Sequence, residues 1–348
     1  MGEALLIGDP APWFRQRCTT PHGDYTFDMS AGRYVVLYLY ASSRDPLTVV
    51  ALDAVRARRA LFDDRQASFF GVSADTDDAG VLAAELPGIR HFLDADGAVG
   101  SAYGGSGRWY LLDPMLRVRG AAEDGPGIAE RVLDTVAGLP RVEEAQGPAP
   151  VLLLDEVFEP EFCARLIAYL RASGTSASGM FTADSQGRTQ AVLDTGFKRR
   201  RDCTITDAAL AGQVQARLVR RVVPQIRRAF AFEATRMDRL LLAAYAAEER
   251  GAFGAHRDNT VPAAAHRRFA VSINLNEDFE GGELIFPEFG RTRYRPAAGG
   301  AAVFSCSLLH AVLPVTRGVR FACLPFVFDE AAVRQKSASV HPPVTIAG

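Results

Sequence analysis

The stretch GLPRVEEAQGPAP at 138–150 sets three prolines and two glycines around a polar middle, and it limits the fold more than any other feature of the chain. Proline lacks the amide hydrogen that helix interiors and central strands need, so neither should run through this stretch. Strand and helix patterns lie on both sides of it. It therefore reads as a linker over 139–150 between two domains, one at 1–138 and one at 151–348. Length agrees, because 348 residues exceed the roughly 100–200 of one ordinary domain. The sequence shows no internal repeat at the periods of solenoid proteins and no long low-complexity tract.

A composition of 48% hydrophobic and 23% charged residues suits a water-soluble globular protein. The net charge of −2 supplies no electrostatic reason to expect nucleic acid or an acidic membrane surface as a partner. No apolar stretch approaches the ~18 residues of a membrane helix, and the start MGEALLIGDPAPWF lacks the basic and apolar segments of a secretion signal. The expectation is a cytoplasmic protein. Five scattered cysteines (Cys18, Cys163, Cys203, Cys306, Cys323) form no C-x-x-C pair, and read as buried hydrophobes in a reducing compartment.

In the first half, RYVVLYLYAS (33–42) predicts a buried strand, PLTVVALDAVRARRALFDD (46–64) a helix, and ASFFGVSAD (67–75) a second strand. That order implies a βαβ unit on a partly parallel sheet. GRWYLLDPMLRVRGAA (107–122) predicts a hairpin turning at Asp113-Pro114, followed by a helix near 126–138.

The segments GDPAPWF, VVLYLYASSRDPLT, FFGVSAD, FLDADGAVGSAYG and WYLLDPMLRVRG, in this order, resemble the peroxiredoxin branch of the thioredoxin-like fold over most of residues 3–138. The resemblance implies an α/β domain. It also implies a P-x-x-x-T/S-x-x-C stretch after the first long strand, where a low-pKa thiolate reduces peroxide. Here Ala41, Asp45 and Thr48 occupy those positions, and a threonine hydroxyl has no accessible anion near neutral pH. Cys18 lies upstream of the strand. The domain thus reads as a peroxiredoxin-like scaffold without the peroxidatic cysteine, kept for scaffolding, as a substrate lid, or for protein docking or self-association.

In the second half, VLLLDEVFEPEFCARLIAYLRAS (151–173) predicts a short strand and an amphipathic helix with Phe162, Leu166, Ile167 and Leu170 on one side. Residues 206–230 predict another helix, starting at Thr206-Asp207 and carrying Leu210, Val214, Leu218, Val222, Ile226 and Phe230 at every fourth position. Pro224 should kink or break it. From 238 onward short strands alternate with turns, which implies an α+β domain with a sandwich or barrel core.

Within that part, FGAHRDNT places His256 and Asp258 two apart, so on an extended segment both reach one face, with Arg257 pointing the opposite way. His310 lies in AAVFSCSLLHAVLPVTRG after a Gly299-Gly300 turn, and Arg320 follows ten residues later. Two imidazoles and one carboxylate leave open positions on a metal such as Fe(II). A guanidinium holds a carboxylate by two parallel hydrogen bonds.

YAAEERGAFGAHRDN, FAVSINLNEDFEGGELIFPE and RPAAGGAAVFSCSLLHAVLPVTRGVRFACLPFVF resemble the prolyl 4-hydroxylase-like branch of the Fe(II)/2-oxoglutarate-dependent dioxygenases over 151–330. The resemblance implies a double-stranded β-helix, or jelly roll, with supporting helices. It implies His256, Asp258 and His310 as iron ligands and Arg320 as partner of the distal carboxylate of 2-oxoglutarate. It also implies Tyr245 as a support for 2-oxoglutarate, with Asn274 or Ser272 as a further polar contact. The implied reaction hydroxylates a C–H bond of a small molecule, amino acid or peptidyl residue with O2, while 2-oxoglutarate becomes succinate; desaturation or ring formation needs only altered substrate positioning.

Blander readings stand beside these. Arg317 in the TRG turn competes with Arg320, though a solvated side chain is expected there. Tyr245 fits plain sheet packing as well. His266 and His341 have no partner at ligand spacing and read as surface or loop residues. Phe253 reads as a pocket wall. The run Lys198-Arg199-Arg200-Arg201 is either a solvated face or the source of a substrate-gripping arginine, Arg199 or Arg201. Two competing functions remain, a thiol redox protein and a non-catalytic binding or scaffold protein. The first lacks its cysteine at Thr48, and the second would be marked by loss of a ligand or of Arg320.

Overall fold

Seven consecutive buried residues, Tyr34–Tyr40, form β1, the central strand of the first unit. The unit comprises Met1–Ala149 with Pro287–Arg291, and the second unit comprises the rest of the chain. The computed structural model describes residues 2–21, 23–144, 147–183, 189–238 and 240–339. Among the described residues no helix is long and apolar enough to cross a membrane.

In the first unit α1 (Pro46–Ala57) connects β1 to β2 (Ala67–Ser73), and the two strands pair in parallel. β3 (Ile89–Leu93) joins β2 in parallel, while β4 (Arg108–Leu112) and β5 (Val118–Glu123) add antiparallel pairs on the other side of β1. The strand order is β3-β2-β1-β4-β5. β1 is apolar throughout because both faces are covered: Val36 and Tyr38 face a core shared with Leu52 and Val55 of α1 and with Leu133 of α2 (Ile128–Ala137). The hairpin at Asp113 forms as predicted, its carboxylate accepting from the amides of Met115 and Arg117 at 2.9 Å.

Two sequence expectations change here. The predicted helix over 46–64 stops at Ala57, and a 3-10 turn follows. Asp63 accepts from the amides of Arg65 and Gln66, and Asp64 takes φ 61°, so the chain reverses instead of continuing as a helix. The first part of the 139–150 stretch is not free linker. Val142 is buried in the core of the first unit, and the Gln66 side chain both donates to the Pro140 carbonyl (2.9 Å) and accepts from the Val142 amide (3.1 Å).

Thr48 and Cys18 both lie in the interior of this unit. Thr48 is buried, with Oγ1 3.4 Å from the Tyr38 hydroxyl, which donates to Asp124 at 2.5 Å. Cys18 is also buried, and desolvation pushes its thiol up from the ordinary value. His91 sits beside the Tyr40 hydroxyl at 3.0 Å, in space kept open by Gly71, where a Cβ would stand 2.4 Å from Nδ1. Burial, with Arg56 nearby, lowers the His91 pKa to about 4.

That shift has a testable sign. The unfolded chain binds a proton on His91 near pH 6.5 and the folded chain does so only near 4, so stability is fully present above pH 6.5 and is lost as pH falls through 4. The effect is on the order of 3 kcal/mol. Thermal melts between pH 7 and pH 4 should show a steep loss for the wild type and a shallower one for His91→Gln; parallel curves would show that His91 is not a source of the dependence.

In the second unit, β6 (Leu152–Leu154) leads into α3 (Pro160–Ser173). β7 (Lys198–Arg199) and β8 (Arg201–Thr204) precede two further helices, α4 (Ala208–Arg221) and α5 (Val223–Phe230). Asp207 caps α4 by accepting from the Leu210 amide at 2.7 Å. The predicted single helix divides at Val222, with Pro224 in the first turn of α5, where its missing N–H has no helical partner to lose.

The strands that follow are β9 (Arg236–Asp238), β10 (Leu241–Ala246), β11 (Ala252–His256), β12 (Phe269–Asn274), β13 (Leu284–Ile285), β14 (Ala301–Ser305), β15 (His310–Val312), β16 (Val319–Cys323) and β17 (Phe326–Phe328). The described residues form a larger sheet whose main path runs β9-β17-β12-β16-β10-β8, extended by Ser176–Ala177, with β14 pairing β12 and β6 pairing β14. A smaller sheet runs β7-β11-β15-β13.

Strand alternation gives the larger sheet two different faces. Leu242 and Ala244, Val271 and Ile273, and Phe321 and Cys323 pack with Phe162, Leu166, Leu210, Val214, Leu218 and Ile226 of the helices. Their neighbours Tyr245, Ser272, Asn274 and Arg320 therefore lie on the opposite face, away from the helical layer.

Candidate metal centre

His256 and His310 meet because their strands pair: β11 and β15 run antiparallel, with His256 directly opposite His310 after a bulge that follows Phe253. Asp258 joins them from a turn. The strand ends at His256, so the expectation of one extended segment carrying both residues is corrected. The Asp258 amide donates to the Cys306 carbonyl at 2.9 Å, which folds the carboxylate back between the two rings. Asp258 Oδ1 lies 3.5 Å from His256 Nε2, and Oδ2 lies 3.4 Å from His310 Nε2. One ligand atom from each of the three residues falls within 4.8 Å of the others, a separation that a single metal ion can span.

The ring orientations suit ligation. His256 Nδ1 stands 2.9 Å from the Gly254 carbonyl and His310 Nδ1 stands 3.0 Å from the Leu308 carbonyl. A carbonyl only accepts, so each Nδ1 carries the hydrogen and each Nε2 presents its lone pair toward Asp258. Gly254 allows the close packing behind His256, since a Cβ there would stand 2.4 Å from the Phe197 ring.

Electrostatics point the same way. Burial, together with His256, lowers the His310 pKa to about 4, so its ring is neutral near pH 7. Burial works to raise the Asp258 pKa, but His310, His256 and Arg267 outweigh it and hold the carboxylate well below its usual range. A neutral imidazole and an ionised carboxylate are the forms that bind a cation. Arg257 donates to the Ser307 carbonyl.

Arg320 is 2% exposed, and on β16 it lies directly opposite Tyr245 of β10. Its Nε donates to Asn274 Oδ1 at 2.9 Å and its Nη2 to Ser272 Oγ at 3.0 Å, while Nη1 is buried with no hydrogen-bond partner among the described residues. Asn274 is held in turn, its Nδ2 donating to the Pro296 carbonyl at 2.7 Å. Burial lowers the Arg320 pKa from its ordinary value. A buried cation with one open donor is costly to leave unmatched, and a carboxylate is its natural complement.

The metal triad and Arg320 are linked by side-chain contacts. The Phe253 ring stacks on His256 at 3.6 Å, the Arg200 guanidinium lies 5.8 Å from the Phe253 ring and 5.8 Å from the Tyr245 ring, and Arg320 lies 5.3 Å from Tyr245. Phe304 stands edge-on to His310 at 4.7 Å, and Phe286 lies at 6.2 Å. These rings form an aromatic wall on one side of the triad.

The structure thus gathers His256, Asp258, His310, Phe253, Tyr245, Ser272, Asn274 and Arg320. It does not gather Arg199 or Arg201. Arg199 donates to the carbonyls of Arg250, Thr195 and Gly196, and Arg201 faces outward with Thr175 and Glu249. The inward residues of the run are Lys198 and Arg200, the other phase of the same alternation. Arg317 pairs with Glu280 on the surface, which removes it as a competitor of Arg320. His266 is not at the surface: it is buried, with Nε2 2.9 Å from Asp238. His341 lies outside the described residues. Phe304 and Phe286 went unremarked in the sequence, although Phe304 precedes the candidate ligand His310 on the same run.

No family model matches the sequence. Curated relatives match a short part of it. A PKHD-type hydroxylase of Nitrobacter winogradskyi is 38% identical over 96 residues, 25% of this chain and 42% of the relative. A PKHD-type hydroxylase of Delftia acidovorans is 42% identical over 84 residues, 22% of this chain and 37% of the relative. The chain spans about two fifths of the length of these relatives. Among solved structures, a prolyl hydroxylase from Trichoplax adhaerens, in complex with a hypoxia inducible factor peptide fragment, aligns with TM-score 0.43 and 17% identity over 55% of this chain and 88% of that one. A prolyl-4-hydroxylase of Pseudomonas putida aligns with TM-score 0.40 and 16% identity over 54% and 95%.

Proposed function

We propose that the second unit is an Fe(II)- and 2-oxoglutarate-dependent oxygenase that hydroxylates a C–H bond of a small molecule, amino acid or peptidyl residue. The observation that carries this reading is the open, buried Nη1 of Arg320 in contact sequence with a two-histidine, one-carboxylate cluster. A metal alone does not account for that guanidinium; a metal-bound keto acid with a distal carboxylate accounts for both. The PKHD-type hydroxylase relatives support the same class.

His256, Asp258 and His310 would hold the metal through Nε2, a carboxylate oxygen and Nε2. Bound Fe(II) supplies the one-electron chemistry by which oxygen is activated against the keto acid. Arg320 would receive the far carboxylate of 2-oxoglutarate, oriented by Asn274 and Ser272, so those two residues serve as positioning groups. Phe253, Phe304 and Phe286 would keep the metal side dry, which limits side reactions with water. The test is oxygen-dependent conversion of 2-oxoglutarate to succinate by the Fe(II)-loaded protein. Absence of conversion with Fe(II) bound would overturn the reading.

For the first unit we propose a redoxin-like scaffold or docking role without peroxidase chemistry. Its β3-β2-β1-β4-β5 order and the buried Thr48 support this. Peroxide consumption should be negligible and identical in wild type and Cys18→Ser; a robust rate abolished by that substitution would sink the idea.

A further inference from the structure

We propose that Arg200 is a positioning residue that sets the direction of the Tyr245 hydroxyl, so that this hydroxyl and Arg320 together bind one carboxylate. The inference rests on the 2-oxoglutarate reading and deepens it.

Arg200 is 7% exposed and is held on several sides. Its Nε donates to Asp202 Oδ1 at 2.6 Å and its Nη2 to Asp202 Oδ2 at 2.9 Å, a two-point grip on one carboxylate. Nη2 also donates to Ser178 Oγ at 3.2 Å, and the Ser178 hydroxyl donates to Asp202. The remaining arm, Nη1, donates to the Tyr245 hydroxyl oxygen at 3.3 Å. A guanidinium has no acceptor, so Tyr245 must accept there and turn its own hydrogen elsewhere.

Among the described residues no acceptor for that hydrogen is found, and Tyr245 is 1% exposed. On the paired strand position, Arg320 Nη1 is likewise a buried donor without an acceptor. Two unmatched donors on facing residues fit the two oxygens of one carboxylate. Charge agrees in direction: the Arg200 and Arg320 guanidinium groups lie 5.8 Å and 5.3 Å from the Tyr245 ring, surroundings that favour an anion.

The experiment is a double-mutant cycle on the full chain loaded with Mn(II), which binds the co-substrate without turnover, reading 2-oxoglutarate affinity by calorimetry. Arg200→Gln and Tyr245→Phe should each weaken binding by about tenfold, and the double variant should be little worse than either, because both remove the same hydrogen bond to the ligand. Arg199→Gln, an outward neighbour, should bind like wild type. Mn(II) affinity should be unchanged throughout. If Arg200→Gln fails to fold, Arg200→Lys serves: it keeps the charge beside Asp202 but cannot span Asp202 and Tyr245 with one planar fork, so a loss that again vanishes in the Tyr245→Phe background is expected. Wild-type affinity in the Arg200 variant, or losses that multiply in the double variant, would overturn the inference and leave the oxygenase reading standing. No binding of 2-oxoglutarate to the wild-type Mn(II) protein would overturn both.

Discussion

Arg320→Gln is expected to weaken 2-oxoglutarate binding by at least about thirtyfold while leaving metal affinity unchanged. Removing one partner of a buried, hydrogen-bonded charge pair costs roughly 2–5 kcal/mol, and thirtyfold corresponds to the low end of that range. Arg320 meets the conditions for a large effect. It is 2% exposed, two of its nitrogens are committed to Asn274 and Ser272, and the third has no partner among the described residues. Glutamine removes the charge and is too short to keep both anchors. Arg320→Lys should fall between the two, since an ammonium keeps the charge without the fork. Calorimetry with the Mn(II)-loaded protein reads both affinities, and an unchanged 2-oxoglutarate affinity would show that the guanidinium faces something else.

Replacing a triad residue should have the opposite pattern. His310→Ala is expected to lower metal affinity by more than about a hundredfold, because it removes one of the three side chains proposed to hold the metal and leaves Asp258 with a single imidazole beside it. The ring is in its binding form near pH 7, since burial keeps it neutral. Asp258→Asn should act similarly through loss of the negative charge. A variant that still binds Mn(II) like wild type would mean that these three side chains are an apolar-walled polar cluster and nothing more.

The site was legible in the sequence where its parts follow strand periodicity. In FAVSIN the alternation of Val271 and Ile273 with Ser272 and Asn274 sets which residues face the helices and which face Arg320. The two-residue step from His256 to Asp258 picks out residues that the structure places together, but a turn pinned by the Cys306 carbonyl, not a strand face, aims the carboxylate. The run Lys198–Arg201 alternates in space, but four basic residues offer no apolar member to fix the phase: Lys198 and Arg200 turn inward, Arg199 and Arg201 outward.

Partners distant in sequence were the other blind spot. His266 has no neighbour at ligand spacing, yet Asp238, 28 residues earlier, holds it in the interior. The polar stretch after 138 looks free until Gln66 is placed against it. The helix end at Ala57 depends on Asp63 capturing amides two and three residues on, a turn that helix periodicity alone does not register.

The most direct measurement loads the wild-type protein and His256→Ala with Fe(II) and 2-oxoglutarate without oxygen, then admits oxygen and quantifies succinate. Succinate should form in the wild type only after oxygen is admitted and should be absent from the variant. Equal yields from the two proteins, or none from a wild type shown to hold both Fe(II) and 2-oxoglutarate, would contradict the account.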